Sequence, residues 1–436
     1  MTFSDVIFAS MWGIPFTCVL RGYAGRIHAG AHILGVDRDD SEPVLEWAEA
    51  NADLPEAYRY DVVCQRASLH DDGAVHDEVK EKNQMLALRW HGRGDVRLDE
   101  VAPPASPTRG WVTVRVRCCG ICGTDIEEWR DGPIFMPVNR PDPLTGSLAP
   151  ITLGHEFAGD VVAVGPGVTE LAAGDRVGVE ALLGCEGCLA CRSGARNRCQ
   201  SLSAAGLMFD GGLTEFVNVP ASMCVAIPAG LSYEAAALAE PLSVAVRALR
   251  RGSLCEGQSV VIQGAGAVGL LAVQVARAMG ASRVTVVEPD SARREMAHAL
   301  GADLAIAPST AIADDLLGDV VVECSGAHAA LEQSISHARS GGRVVFVGIA
   351  PDTITLRPLD LILREISVTG SLSHQRETDY AEAIDIICSG RVQVDPLITA
   401  RVPLSRAMSG AFTELLERGG THVKIMIVPN APDFSE

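Results

Sequence analysis

The sequence contains no long run of lysine or arginine. Its 36 basic residues are outnumbered by 55 aspartates and glutamates, so the formal net charge is −19. A chain with this charge repels phosphate backbones and anionic lipid surfaces. We therefore expect neither nucleic acid nor a membrane among its partners, which leaves a small molecule as the expected one.

The sequence also lacks a clear membrane span. The apolar stretch over residues 6–20 is interrupted by Pro15 and is preceded by Asp5 instead of a basic segment. It is shorter than the ~20 residues that a transmembrane helix needs. Neither a signal peptide nor an anchor is expected.

Cysteine and aromatic residues are both scarce. The 13 cysteines among 436 residues are too few for a disulfide scaffold, and several of them stand in metal-site patterns, so we predict a reducing cytoplasmic location. A composition of 47% hydrophobic, 21% charged and 5% aromatic residues is typical of a soluble α/β enzyme. The length allows two or three domains.

The order of patterns along the chain predicts its division. Short strand patterns separated by glycine and proline begin at Met85, and a helical stretch over residues 233–251 follows Ser232, a candidate N-cap. Strands and helices then alternate, which predicts parallel βαβ units. The predicted segments are an N-terminal extension, either disordered or a small subdomain (residues 1–84), a β-rich catalytic domain (85–241), a nucleotide-binding domain (242–371) and a return to the catalytic domain (372–436).

Four cysteines form the densest motif in the chain. Their spacing is C-x2-C-x2-C-x7-C. Four thiolates on so short an arc can hold a tetrahedral Zn²⁺ at ~2.3 Å per bond. A closed site of this kind leaves no position for a substrate, so we predict a structural zinc held by Cys185, Cys188, Cys191 and Cys199.

A glycine-rich turn predicts a dinucleotide site. The sequence GAGAVG at residues 264–269 follows the apolar strand VVIQ and precedes a helix. This context lets a pyrophosphate lie at the helix N-terminus. Glu288 ends the next strand, where a carboxylate accepts the ribose hydroxyls and repels a 2′-phosphate, which favours NAD over NADP. A turn-capping role for Glu288 is the alternative, and the nearby Arg293 and Arg294 leave the preference open. The predicted cofactor-binding residues are Gly264, Gly266, Ala267, Val268, Gly269, Glu288 and Arg293.

Two further motifs complete a recognisable set. They are GICGTD at residues 120–125 and GHE at residues 154–156, and both precede the helix that carries Ala239-Glu240-Pro241-Leu242. With these motifs, the four cysteines and the glycine-rich turn in this order, residues 85–429 resemble the zinc-dependent medium-chain dehydrogenase/reductase family. The resemblance implies a GroES-like β-rich catalytic domain and a Rossmann domain with a doubly wound parallel sheet, an α/β fold.

The resemblance also implies a second, catalytic zinc, held by Cys122, His155 and either Glu156 or Glu240. Zinc there lowers the pKa of the substrate hydroxyl, and the carbon then passes a hydride to the nicotinamide. Thr124 matches the hydroxyl that accepts the alcohol proton, so Thr124, Cys122, His155 and Glu156 are the predicted catalytic residues.

Two residues near this zinc site are expected to have different roles. Asp125 is expected to orient His155 through its ring N–H. The chain departs from many family members at Glu127, where they carry histidine. The final proton step then runs through Glu127, water or the cofactor ribose.

Longer segments resemble the butanediol-oxidising members of the family. They cover residues 131–137, 143–146, 149–157, 395–399 and 422–425. This resemblance implies interconversion of (R,R)-2,3-butanediol and acetoin, with reduction of diacetyl. A sugar alcohol such as sorbitol, or L-threonine, is the alternative substrate, and a zinc-binding scaffold without turnover is the remote one. Family members usually pair through the edge strand near residues 366–370, which implies a homodimer or homotetramer.

Overall fold

The computed structural model describes residues 17–23, 26–32, 82–308, 313–350, 353–417 and 422–429. The chain divides into two units, residues 1–70 and 71–436. In the first unit the described residues form an antiparallel hairpin of β1 (Thr17–Tyr23) and β2 (Arg26–His32). The expectations for residues 1–84 and for the apolar stretch 6–20 otherwise lie outside the described residues.

The second unit begins with a β-rich region. Its elements are β3 (Met85–Gly92), β4 (Asp95–Val101), β5 (Trp111–Gly120), α1 (Gly123–Asp131), β6 (Ile151–Thr152), β7 (Glu156–Val164), β8 (Arg176–Val179), β9 (Leu182–Leu183), α2 (Leu189–Arg192), β10 (Ser203–Ala204), β11 (Phe216–Pro220), β12 (Cys224–Ala226), α3 (Tyr233–Ala237) and α4 (Ala239–Arg251).

A second region alternates strands and helices. Its elements are β13 (Ser259–Gln263), α5 (Ala267–Ala278), β14 (Arg283–Val287), α6 (Ser291–Ala299), β15 (Leu304–Ile306), β16 (Gly318–Glu323), α7 (His328–His337), β17 (Ala338–Phe346), α8 (Pro358–Arg364) and β18 (Ser367–Gly370). The chain then continues through α9 (Ala381–Cys388), β19 (Ile398–Pro403), α10 (Thr413–Glu417) and β20 (Lys424–Val428).

The β-rich region is built on a mixed sheet in the order β12-β8-β7-β5-β20-β19, with β11 also paired to β5. Along β5, Val112, Val114 and Val116 are fully buried, whereas Arg115 and Arg117 are partly exposed. This alternation is that of a strand with one face on the core. The C-terminal β20 pairs antiparallel with β5, opposite Cys119 and Gly120, so the end of the chain joins the sheet that carries the first motif.

The alternating region forms a six-stranded parallel sheet in the order β15-β14-β13-β16-β17-β18. All five residues of the central β13 are buried, as expected for a strand covered on both faces. The strand order reverses at β13, the position at which doubly wound sheets bind nucleotides. The predicted fold class is confirmed; the predicted domain boundaries stay a prediction.

The helical stretch expected over residues 233–251 is wrong in one respect: the structure has two helices, α3 and α4, separated at Leu238. Pro241 explains the break, because its nitrogen carries no proton for the carbonyl of Ala237 and its ring crowds that carbonyl. Ser232 caps α3 as expected, since its Oγ accepts a hydrogen bond of 3.1 Å from the Ala235 N–H. The break places Glu240 in the first turn of α4.

Within the described residues, no helix combines the length and the apolar character needed to cross a membrane.

Candidate active site and metal centres

The GICGTD and GHE motifs meet because their strands are neighbours. Gly120 at the end of β5 lies opposite Glu156 at the start of β7. A Cβ on Gly120 would lie 2.3 Å from Glu156 Oε2, so only glycine leaves room for that carboxylate. Cys122 follows as the N-cap of α1, and His155 immediately precedes β7.

Three of the four predicted catalytic-zinc ligands converge. The Cys122 thiol, a ring nitrogen of His155 and a carboxylate oxygen of Glu156 lie within 4.8 Å of one another. His155 and Glu156 are buried, whereas Cys122 is partly exposed. One sulfur, one imidazole and one carboxylate are a donor set that zinc accepts, with an open side for a further ligand.

Asp125 supports this cluster from behind. Its Oδ2 accepts a hydrogen bond of 2.9 Å from the Cys122 N–H, and its Oδ1 lies 3.7 Å from His155 Nδ1. Neither Oδ1 nor Nδ1 has a hydrogen-bond partner in the structure, although both are buried. Complete burial raises the pKa of Asp125, and the charge of His155 partly offsets that rise. The contact fits the expected orienting role, which stays a prediction.

Lys424 is a site residue that the sequence interpretation missed. Its Nζ donates hydrogen bonds of 2.7 and 2.6 Å to the two oxygens of Glu156 and one of 3.0 Å to the Ile121 carbonyl. Burial by itself lowers the pKa of Lys424, but the Glu156 charge opposes burial and the net shift is upward. The available signal was a lysine at the start of the otherwise apolar strand KIMIV.

Glu240, the fourth predicted ligand, lies outside the three-donor cluster and faces His374. Its Oε1 is 3.5 Å from His374 Nδ1, and His374 Nε2 is 3.1 Å from Glu180 Oε1. Burial raises the pKa of Glu240, while the charges of His374 and His155 oppose that rise. His374 and Glu180 were also missed, because no sequence motif surrounds them.

Thr124 and Glu127 occupy the same short helix. The Thr124 hydroxyl is 3.7 Å from the Cys122 sulfur, so it lies beside the cluster. Burial raises the pKa of Glu127, and its Oε2 is buried without a hydrogen-bond partner. The effect of burial on Glu127 therefore outweighs the opposing charge of Arg130.

The four cysteines form the second cluster, and their sulfurs lie within 4.8 Å of one another. Backbone N–H groups point at them: the Cys188 N–H lies 3.4 Å from Cys185 Sγ, and the Cys191 N–H lies 3.4 Å from Cys188 Sγ. The hydrogen bond from the Cys191 backbone lowers the pKa of Cys188 to about 6. Such N–H bonds favour thiolates, the form that zinc binds, so the cluster fits a structural zinc.

The glycine-rich turn has the geometry of a phosphate-binding turn. Gly264 has a φ of +91°, which favours glycine, and a Cβ on Gly269 would lie 1.9 Å from the Gly264 carbonyl oxygen. A Cβ on Gly266, the N-cap of α5, would meet no atom within 4 Å. Open space therefore lies at this helix N-terminus, where Ala267 and Val268 form the first turn.

Glu288 contacts that turn directly. Its Oε2 accepts a hydrogen bond of 2.6 Å from the Ala265 N–H, and its Oε1 accepts one of 3.0 Å from the Asp290 N–H. The carboxylate thus has the turn-capping role considered as the alternative, and its ribose-binding role stays a prediction. Arg293 lies in the first turn of α6, where its Nη2 donates to the His422 carbonyl at 2.9 Å.

Comparisons with known proteins identify the family of this chain. Residues 108–229 match the alcohol dehydrogenase GroES-like domain, and residues 267–389 match the zinc-binding dehydrogenase domain. The chain is 34% identical to (R,R)-butanediol dehydrogenase of Bacillus subtilis (strain 168), over 79% of this chain and 100% of that protein. It is also 34% identical to sorbitol dehydrogenase of Gallus gallus, over 79% of this chain and 96% of that one.

Solved structures give the same result. The crystal structure of the Bacillus subtilis 2R,3R-butanediol dehydrogenase superposes with a TM-score of 0.73 at 34% identity, covering 79% of this chain and 100% of that one. An NADP-bound protein from Sinorhizobium meliloti 1021 superposes with a TM-score of 0.71 at 30% identity, covering 80% and 100% of the two chains. The expected family is confirmed: this chain is a dehydrogenase that belongs to the zinc-dependent medium-chain alcohol dehydrogenases.

Proposed function

We propose that the protein is an NAD-dependent oxidoreductase that interconverts a secondary vicinal diol and its hydroxyketone, with (R,R)-2,3-butanediol and acetoin as the foremost pair. Reduction of diacetyl belongs to the same chemistry. The observation that carries the proposal is the convergence of Cys122, His155 and Glu156 in a chain that matches the whole length of a butanediol dehydrogenase.

In this proposal Cys122, His155 and Glu156 hold the catalytic zinc. When bound, zinc supplies a Lewis acid that lowers the pKa of the substrate hydroxyl, and NAD supplies the hydride acceptor. Asp125 fixes the ring of His155, since its carboxylate faces Nδ1. Lys424 compensates the charge of Glu156 and donates to both of its oxygens, so it would compete with a bound metal for them.

Thr124 is the proposed proton acceptor. Its hydroxyl is close to Cys122 and can accept the substrate proton and pass it outward. Glu127, three residues further along α1, carries a carboxylate with a raised pKa in place of the histidine of many relatives. We assign it no direct role in the reaction, since water and the cofactor ribose can carry the last transfer.

The cofactor residues follow from the turn geometry. Gly266 leaves the space for a pyrophosphate at the N-terminus of α5, and Gly264 and Gly269 form the turn around it. Each oxygen of Glu288 accepts one backbone N–H and keeps a lone pair for a ribose hydroxyl. Its negative charge repels a 2′-phosphate, which favours NAD, whereas Arg293 and the NADP-bound relative support NADP as the alternative.

The arrangement of polar groups favours a short diol. Among the described residues near the cluster, His374 is engaged by Glu180 and Glu240, and Lys424 is engaged by Glu156. These groups pair with one another, so they offer few donors to a long polyhydroxylated chain. Sorbitol is the second candidate, supported by an identity to sorbitol dehydrogenase equal to that for the butanediol enzyme.

Self-association through the outer strand of the parallel sheet is also part of the proposal. β18 is the last strand of that sheet, and α8 next to it exposes Leu359, Ile362 and Leu363 by 50%, 69% and 74%. Two copies joined here would extend the sheet and cover these side chains, giving a dimer or tetramer. We further propose a cytoplasmic location, because the eleven cysteines between residues 118 and 388 form no disulfide bond.

A substrate panel tests the function. The stereoisomers of 2,3-butanediol, sorbitol and L-threonine are compared as substrates with NAD and with NADP, and kcat/KM is measured from NADH or NADPH absorbance. The proposal predicts the highest value for (R,R)-2,3-butanediol with NAD. A higher value for sorbitol would favour the second candidate, and no turnover of any alcohol would support a scaffold.

A further inference from the structure

His374 is buried between two carboxylates from different parts of the fold. It is 0% exposed, and its two ring nitrogens face Glu180, directly after β8, and Glu240, in the first turn of α4. Glu180 and Glu240 are buried as well. The ring lies 3.1 Å from Glu180 Oε1 and 3.5 Å from Glu240 Oε1, so a displacement of His374 would change the surroundings of both buried carboxylates.

The backbone before His374 is held in a strained conformation. Ser373 has a φ of +44°, in the left-handed region that residues with a side chain rarely adopt, and its hydroxyl is 3.0 Å from His374 Nδ1. Such a conformation persists only when its surroundings enforce it. The preceding side chain of Leu372 is 51% exposed, so apolar packing of that side chain does not supply the restraint.

One restraint on this backbone comes from the four-cysteine lobe, defined as residues 185–199. Asn197 is 2% exposed in this lobe, and its Nδ2 donates a hydrogen bond of 2.7 Å to the Leu372 carbonyl. The neighbouring Arg196 places Nη1 3.6 Å from Glu180 Oε2. Both residues stand in the turn that leads directly into Cys199, so the lobe contacts the backbone before His374 and also its carboxylate partner.

A separate anchor fixes the other side of the loop. Asp379 is buried, and its Oδ1 accepts a hydrogen bond of 2.6 Å from Arg250 Nη1 of α4, the helix that carries Glu240. The chain after His374 is therefore joined to the helix of Glu240 independently of the lobe. The segment over residues 371–374 is held at two points: the Ser371 N–H donates to the Phe346 carbonyl at 2.9 Å, and Asn197 of the lobe donates to the Leu372 carbonyl, the contact nearer to His374.

We infer that the four-cysteine lobe acts, through Asn197 and His374, as a positioning device that holds Glu240 beside the catalytic metal site. The inference rests on the proposed function for the identity of that site. A carboxylate held there would slow the loss of a bound metal ion, and Asn197 and His374 are positioning residues that act through it.

The test measures the rate at which zinc leaves the catalytic site to a chelator in the absence of substrate. Asn197→Ala removes the bond to the Leu372 carbonyl without touching a candidate metal ligand. We expect zinc to leave the catalytic site about fivefold faster, the change in rate that corresponds to the loss of one hydrogen bond. The zinc of the lobe should be retained. His374→Gln, a second variant, should change the rate in the same direction.

Two controls separate this role from general loosening of the lobe. Ser193→Ala removes a hydrogen bond of 2.9 Å inside the lobe, to the Ala190 carbonyl, and should leave the rate unchanged. In a Glu240→Ala background, Asn197→Ala should have no further effect, because its action runs through Glu240.

An unchanged rate in Asn197→Ala would overturn the inference, and so would an equal acceleration in Ser193→Ala or in the Glu240→Ala background. The outcome of the substrate panel is independent of this test, because zinc release is measured without alcohol or cofactor.

Discussion

Replacing Lys424 by methionine should destabilise the β-rich region strongly when zinc is removed. The side chain is 3% exposed and its Nζ makes three hydrogen bonds, two of them to the fully buried Glu156. Methionine fills a similar volume without the charge, so Glu156 would remain as an uncompensated buried carboxylate. Removing one partner of a buried ion pair costs about 3–5 kcal/mol, and we expect a loss of that size in the free energy of unfolding.

Denaturant titration monitored by tryptophan fluorescence measures this loss, because Trp90, Trp111 and Trp129 all lie in the β-rich region. In a Glu156→Gln background the same replacement should cost about 1 kcal/mol, since no charge is then left unpaired. Excess zinc should narrow the difference between wild type and Lys424→Met, because the metal supplies the missing positive charge. Arg97→Met, which breaks an exposed pair with Asp95, is the matched control and should change little.

An equal loss in the wild-type and Glu156→Gln backgrounds would refute this reasoning, because the cost would then come from packing. If excess zinc left the difference in unfolding free energy between wild type and Lys424→Met unaltered, Lys424 and the metal would not compete for Glu156.

Three other predictions follow from the structure. Glu288→Ala should raise the KM for NAD and reduce the preference for NAD over NADP. Glu288→Gln is the control, because it keeps an acceptor for the Ala265 N–H. An unaltered ratio of kcat/KM with NAD to kcat/KM with NADP would disprove the ribose role. Cys188→Ser should reduce bound zinc from two per chain to one and lower the melting temperature, and an enzyme that keeps both values would exclude a structural zinc there. Burial raises the pKa of Glu127, so the folded chain binds this proton more tightly than the unfolded chain, and this contribution to stability is lost as the pH rises above the unfolded pKa. Glu127→Gln should therefore stabilise the protein by about 1 kcal/mol at pH 7 and by nothing at pH 3, measured by denaturant titration, and an equal gain at both pH values would contradict the burial argument.

The features that could be predicted from the sequence are those that depend on short continuous segments. The glycine-rich turn, the GHE motif and the four cysteines each combine a fixed spacing with a strand or helix on a known side, so their geometry is local. The break between α3 and α4 is also local, because Pro241 causes it, and it differs from the single helix expected over residues 233–251.

Contacts between distant segments were not predicted. Lys424 reaches Glu156 across 268 residues because β20 adds to β5, and no local pattern shows that pairing. His374 follows β18 in the sequence and likewise contacts Glu180 and Glu240 from a distant segment of the chain. A buried charge in an apolar strand is the one signal that pointed to Lys424, because such a charge requires a partner.

The assignment of the reacting metal to Cys122 is central to the proposed function. The direct measurement is NADH formation from (R,R)-2,3-butanediol by Cys122→Ser, together with its zinc content and its affinity for NAD. We predict that this variant loses one zinc per chain and its NADH formation while it binds NAD as tightly as wild type. Turnover at the wild-type rate with one zinc fewer, or with the zinc content unchanged, would contradict the assignment.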